Sequence, residues 1–157
     1  MNSRHVARAL YILLLITLGM LPTVSAAAVA GDHQVVDGVA IYLGLIPSEM
    51  ILRHPQGHPE REMHGGVPAG KHWDHLVVAL FDANGKRITD AQVTATVREI
   101  GLAGETKELQ PMKIAGTITY GNYFDFPTRD TYYRILIRIR FPGVPGTIKA
   151  DFTQHHY

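Results

Sequence analysis

Thr131-Tyr-Tyr-Arg-Ile-Leu-Ile-Arg-Ile-Arg-Phe141 places Tyr133, Ile135, Ile137, Ile139 and Phe141 on one face of an extended chain. Tyr132, Arg134, Leu136, Arg138 and Arg140 fall on the other. Side chains in a strand alternate between faces with a period of two, so this stretch predicts a strand with one face on a core. Downstream, Pro142 to Gly146 turns the chain and Thr147 to Phe152 predicts the last strand. Upstream, Arg87 to Glu99 alternates Val93, Ala95 and Val97 against Thr94, Thr96 and Arg98, a second half-buried strand.

Asn84-Gly85 supplies a turn before Arg87, and the apolar run from His75 to Asp82 predicts a strand buried on both faces. Val35 to Leu45, with a glycine break and Pro47 closing it, predicts the first strand. Gly101 to Gly104 turns the chain, Thr106 to Met112 predicts a short strand, and Lys113 to Thr128 reads as irregular. Short strands at close intervals without helical periodicity define an all-β class, an immunoglobulin-like antiparallel β-sandwich of about seven to eight strands.

The chain begins with Arg4, His5 and Arg8 ahead of an apolar run, Ala9 to Leu21, then Pro22 and small residues. That order predicts a secretory signal peptide over residues 1–30, with cleavage after Ala26, Ala28 or Ala30. The run is shorter than the roughly 20 residues of a bilayer span, so export with cleavage is preferred to a retained anchor. The expected address is the periplasm. A single domain over 31–157 then remains, long enough for a core without covalent staples.

The sequence holds no cysteine, which removes disulfides, thiolate ligands and cysteine nucleophiles together. Net charge is +1 with both signs scattered, so no nucleic-acid partner is expected. No GxSxG, HExxH, P-loop or dinucleotide motif occurs, so the expected protein is not an enzyme.

Chemistry concentrates in His54 to His75, HPQGHPEREMHGGVPAGKHWDH, which holds five of the nine histidines. Its prolines and glycines exclude a helix or regular strand running through it. His72 and His75 flank the mouth of a strand. Met63-His64 sets a thioether beside an imidazole, and Gly65-Gly66 leaves that backbone free to fold inward. Imidazole and thioether without thiolate suit copper, Cu(I) through both and Cu(II) through imidazole, with the carboxylates Glu60 and Glu62 widening the range toward iron or zinc.

His155-His156 at the C-terminus reads as a mobile tail that could be a second capture site. The aromatic stretch from Tyr120 to Phe126 reads first as core packing. Its rival reading is a docking loop of a non-metal interaction module on a membrane complex.

Pro111-Met-Lys-Ile-Ala-Gly-Thr-Ile-Thr-Tyr-Gly-Asn122, followed by the strand from Tyr132 to Pro142, resembles the periplasmic iron-transport accessory proteins. These are copper- and iron-binding immunoglobulin-like sandwiches that work beside an iron permease. Gly57-His58 and His75-Leu76 are similar to further family features, and the resemblance spans residues 38–152. It implies a β-sandwich, a homodimer, and metal ligation by Met112 and His58. Two family histidines are missing: one falls on Thr119, and the other belongs to an insertion replaced by the Pro142–Gly146 turn. His64, His72 or His75 would have to substitute.

The expectation is thus a metal-binding protein with His58, Met63, His64, His72, His75 and Met112 as candidate ligands. Copper is the expected ion, with iron the alternative. A membrane permease or respiratory complex is the expected partner.

Overall fold

Tyr133, Ile135, Ile137 and Ile139 all point into the interior of the computed structural model, which describes residues 32–157. The signal-peptide stretch lies outside the described residues. Eight strands follow in chain order: β1 (His33–Val36), β2 (Val39–Pro47), β3 (Trp73–Phe81), β4 (Gln92–Glu99), β5 (Glu105–Ile114), β6 (Thr117–Asp125), β7 (Thr131–Arg140) and β8 (Ile148–His156). They form one antiparallel sheet in the order β1-β2-β3-β6-β5-β4-β7-β8. The protein is all-β.

Strand β5 turns the corner between the two layers. Its first half pairs with β4 (Val93↔Leu109 to Val97↔Glu105) and its second half with β6 (Gln110↔Gly121 to Ile114↔Thr117). At the far ends of the sheet, Gln34 Nε2 donates to the Asp151 carbonyl at 2.7 Å, drawing β1 toward β8. The sheet therefore closes into a sandwich that is almost a barrel, and closure leaves little unpaired edge.

The core lies between the layers, with Ile41, Leu76, Val78, Leu80 and Phe124 on one side and Val93, Ala95, Ile135, Ile137 and Phe152 on the other. Each fully buried aliphatic side chain contributes about 1.5–3 kcal/mol of transfer free energy. Alternation in β4 and β7 is the sequence imprint of this one-sided burial.

Several expectations are corrected. The run from Val35 to Leu45 is not one strand but the β1–β2 hairpin. It turns at Asp37 (φ 50°) and Gly38 (φ 78°), the doubly left-handed pair that a two-residue hairpin loop requires. Residues 113–128 are not irregular: Ala115 (φ 48°) and Gly116 (φ 79°) make a second such turn and β6 follows. Burial in β3 is continuous only over Asp74, His75 and Leu76, and alternates beyond them.

The 120–126 stretch is not a docking loop. Tyr120, Phe124 and Phe126 belong to the core cluster, and Tyr123 is 2% exposed on the opposite face of β6. The C-terminal histidines are not a mobile tail, because β8 runs through them in register with β7 (Thr131↔His156, Tyr132↔His155). His156 also stacks on Phe126 and sets its Nε2 3.4 Å from Asp74 Oδ2.

The segment between β2 and β3 contains short helical pieces where none was expected. These are α1 (Ser48–Ile51), α2 (Pro59–Glu62) and a 3-10 turn (Met63–Gly65). Pro59 stands in the first turn of α2, where its missing N–H costs nothing. Among the described residues no helix is long and apolar enough to cross a membrane.

Candidate metal centre

Strands β3, β6 and β5 lie side by side, and their outer face carries the site. In β3 paired with β6, His75 stands opposite Tyr123 and Val77 opposite Gly121. In β6 paired with β5, Gly121 stands opposite Gln110 and Thr119 opposite Met112. Period-two alternation sends Leu76, Tyr120 and Phe124 to the core, so His75, Gly121, Tyr123, Gln110 and Met112 share the outward face.

Outward does not mean exposed here. The segment between β2 and β3 crosses this face, anchored by Ile51, which is 3% exposed, and braced within itself by Arg61, whose guanidinium donates to the His54 carbonyl at 2.9 Å. Under this cover His75 is 3% exposed and Met112 5%.

His64 is delivered onto the face by backbone conformation. Its φ of 57° begins three consecutive left-handed residues with Gly65 (φ 82°) and Gly66 (φ 100°). A non-glycine residue in that region carries a conformational cost of order 1–3 kcal/mol, which surrounding contacts must offset. Those contacts are polar. His64 Nε2 lies 2.9 Å from Met112 Sδ and 3.1 Å from His75 Nε2, and its Nδ1 lies 2.9 Å from Gln110 Oε1.

The Gln110 contact determines the chemistry of the ring. Its carbonyl oxygen accepts from Nδ1–H, which leaves the lone pair on Nε2. That lone pair faces a thioether sulfur and a second imidazole nitrogen. Tyr123 stacks on His75 with ring centroids 4.8 Å apart and fixes its plane.

Gly121 makes the convergence sterically allowed. A Cβ at this position would meet Met112 Cε at 2.5 Å, His75 Nε2 at 2.8 Å and the Leu76 carbonyl at 3.0 Å. The floor of the site is therefore bare backbone, with the imidazole and the thioether both lying over it.

Burial penalises charge throughout. It pushes His75 down to about 4, with the neighbouring His64 acting in the same direction, so this ring is neutral at ordinary pH. Burial pushes the Tyr123 phenol up, and the Glu60 carboxylate adds to the effect. A neutral imidazole has no net proton to release on taking a metal ion.

The remaining candidates, His58, Met63 and His72, make other contacts. His58 caps α2, its Nδ1 accepting from the Glu60 N–H at 3.3 Å, and its ring stacks on His54 at 4.3 Å. Met63 lines a shallow depression with His64, Gln110 and Met112. His72 is exposed and contributes its backbone carbonyl to the Phe126 N–H at 2.7 Å. Thr119 sits beside Met112 in register.

Gln110 and Gly121 were missed by reasoning from ligand chemistry. A signal was present: Gln110 is two residues before Met112 and so shares its face, and Gly121 lies within the Tyr-Gly-Asn segment of the resemblance.

Solved structures share this fold. A copper-bound variant of FetP from uropathogenic Escherichia coli superposes with TM-score 0.60 at 15% identity, over 81% of this chain and 95% of that one. A copper-bound variant of Campylobacter jejuni P19 gives TM-score 0.57 at 13% identity, over 81% and 95%. A DUF4426 family protein from Pseudomonas aeruginosa gives 0.56 at 15% identity, over 82% and 97%. No known family profile matches the chain, and no curated protein does. The fold is the β-sandwich of these proteins.

Proposed function

We propose that this chain is an exported copper-binding protein whose centre is His64, His75 and Met112. The single observation that carries the reading is the meeting of His64 Nε2 with Met112 Sδ at 2.9 Å and with His75 Nε2 at 3.1 Å. In a tetrahedral arrangement two nitrogens bound at about 2.0 Å stand about 3.3 Å apart, and a nitrogen and a sulfur at about 2.0 and 2.3 Å stand about 3.5 Å apart, so the imidazole pair is at ligand spacing and the thioether contact would open slightly to admit an ion. Two imidazoles and a thioether, with no carboxylate among them, favour a soft ion, and Cu(I) above all.

Three features support it: Gln110 sets the tautomer of His64, Gly121 clears the floor, and the overlying segment buries His75 and Met112. An acceptor on the far nitrogen of a ligating histidine is the usual support for such a ligand. Copper-bound FetP and P19 share the fold, which adds to the reading. We read the ion as cargo held for a membrane partner, in a periplasmic iron-uptake or copper-handling setting.

Equilibrium dialysis of the purified protein with Cu(I), Cu(II) and Fe(II), followed by elemental analysis, tests this. About one tightly held copper is expected in the wild type and none at this centre in His64→Ala/His75→Ala. Copper content unchanged by the double substitution, or preferential retention of iron, would overturn it.

A further inference from the structure

The nearly closed sheet keeps one open seam. At one end of it Gln34 and Asp151 draw β1 and β8 together, but β1 is four residues long and covers only part of β2. The Leu43 N–H donates to the Asp32 carbonyl at 2.6 Å, and among the described residues β2 has no backbone partner on that edge past this bond. Backbone groups alternate in direction along a strand, so the N–H and C=O of Leu45 point the same way as the Leu43 N–H, into the seam. On the opposite bank the Asp151 carbonyl faces β1, whereas the His156 carbonyl turns back toward the start of β7 and accepts from the Asp130 N–H at 2.6 Å. By the same alternation Thr153 and His155 present their backbone groups to the seam, and among the described residues no backbone hydrogen bond joins β8 to β2.

A cavity of about 650 Å³ occupies this seam, with Leu43, Leu45, Gln154 and His155 among its walls. Asp74 lines it as well. This carboxylate lies on the core side of β3, two residues before Leu76, and its side chain is only 9% exposed. Its ion-pair contact, His156 Nε2 at 3.4 Å, is longer than the roughly 2.7–2.9 Å of a charge-assisted hydrogen bond, so the carboxylate can accept from a further donor. Arg53 and Lys71 line the same cavity and are exposed.

We propose that the seam docks an extended segment of a partner polypeptide, which adds as a strand between β2 and β8 and sets a lysine ammonium on Asp74. Two facing strand edges with free donors and acceptors match a main chain, whose hydrogen bonds supply affinity while alternate side chains supply specificity. A buried carboxylate with room for another donor selects a cation at the centre of that segment. Arg53 and Lys71 repel further basic residues and favour acidic ones at its flanks. Asp74 and His75 are consecutive and point to opposite faces of β3, so the docked strand stands on the other side of that strand from the metal centre and needs no bound metal.

The probe is a dye-labelled, end-blocked hexapeptide of alternating valine and threonine with one central lysine, titrated with the purified protein and read by fluorescence anisotropy. The wild type is expected to bind it. Affinity should fall roughly tenfold or more when norleucine replaces the lysine, and likewise in Asp74→Asn. N-methylation of alternate peptide nitrogens should abolish binding. Thr153→Pro removes one seam-facing N–H from an exposed position without touching the β7 ladder, so it should weaken the peptide while leaving the unfolding midpoint and Cu(I) uptake near wild type. No binding by the wild type, binding indifferent to N-methylation, or equal affinity in wild type, Asp74→Asn and Thr153→Pro would overturn the proposal. Self-association of the wild type that Thr153→Pro abolishes would give the seam to a second copy and overturn it as well.

Discussion

His64 and Met112 are separated by 48 positions in sequence, yet Nε2 of one lies 2.9 Å from Sδ of the other. Neither residue reaches this position by local structure alone. Met112 is placed by the pairing of β5 with β6, and His64 by a left-handed turn in the segment that covers them. The contact joins the sandwich to its cover, so the proposed metal binding would be coupled to stability through it.

Gly121→Ala tests the floor of the site. The added methyl would sit 2.5 Å from Met112 Cε and 2.8 Å from His75 Nε2, and the Leu76 carbonyl at 3.0 Å blocks relaxation in the third direction. Overpacking of this kind costs about 1–3 kcal/mol. Thermal unfolding should show a lower midpoint, and copper retention should fall even at temperatures where the variant is fully folded. Wild-type copper retention in a folded Gly121→Ala would mean that the two donors do not meet over this residue.

Gln110→Leu removes the acceptor that orients His64, while Gln110→Glu keeps one. Loss of such a supporting contact typically weakens metal affinity about 10–100-fold. The leucine variant should lose affinity in that range with little change in unfolding midpoint, and the glutamate variant should retain it. Nitrogen-15 NMR of the His64 ring should report the Nδ1–H tautomer in the wild type and a shift away from it in Gln110→Leu. Identical ring spectra in the two proteins would remove Gln110 from the account.

The buried imidazole makes stability depend on pH with a definite sign. Burial, aided by His64, holds His75 at about 4 in the folded protein, against 6.5 when unfolded. Between those values the unfolded chain binds the extra proton. This contribution is therefore complete above about pH 6.5 and lost as pH falls toward 4, by up to about 3 kcal/mol. Asp74 works in the opposite sense: burial raises its pKa, so its folded form holds a proton more readily. Urea unfolding of wild type and His75→Gln at pH 7 and pH 4.5 separates the two. The wild type should lose more stability than the variant on acidification; equal losses would show that His75 is not the source.

The sandwich was legible where one face of a strand meets water. In β7 the arginines at 134, 138 and 140 alternate with buried isoleucines, and β4 repeats the pattern with threonines. β6 was illegible because both of its faces are covered, the inner by the core and the outer by the crossing segment. Buried residues at 120, 121, 123 and 124 therefore erase the alternation. The β1–β2 turn was hidden for a related reason: strand-like residues on both sides of Asp37-Gly38 read as a single run.

The site divides along the same line. His64, His75 and Met112 could be named from their side chains, but their meeting depends on β6 lying between β3 and β5, a non-local order that periodicity does not encode. His58 and His72 carry the same imidazole chemistry and lie away from that face. Position relative to the sheet, rather than residue type, separates them.

The central claim is most directly tested by X-ray absorption at the copper edge of the Cu(I)-loaded protein, in the wild type and in Met112→Leu. The account predicts one sulfur at about 2.3 Å with two imidazole nitrogens in the wild type, and loss of the sulfur shell in a variant that unfolds at nearly the same temperature. A wild-type spectrum without sulfur, or a sulfur shell that survives in Met112→Leu, would contradict it.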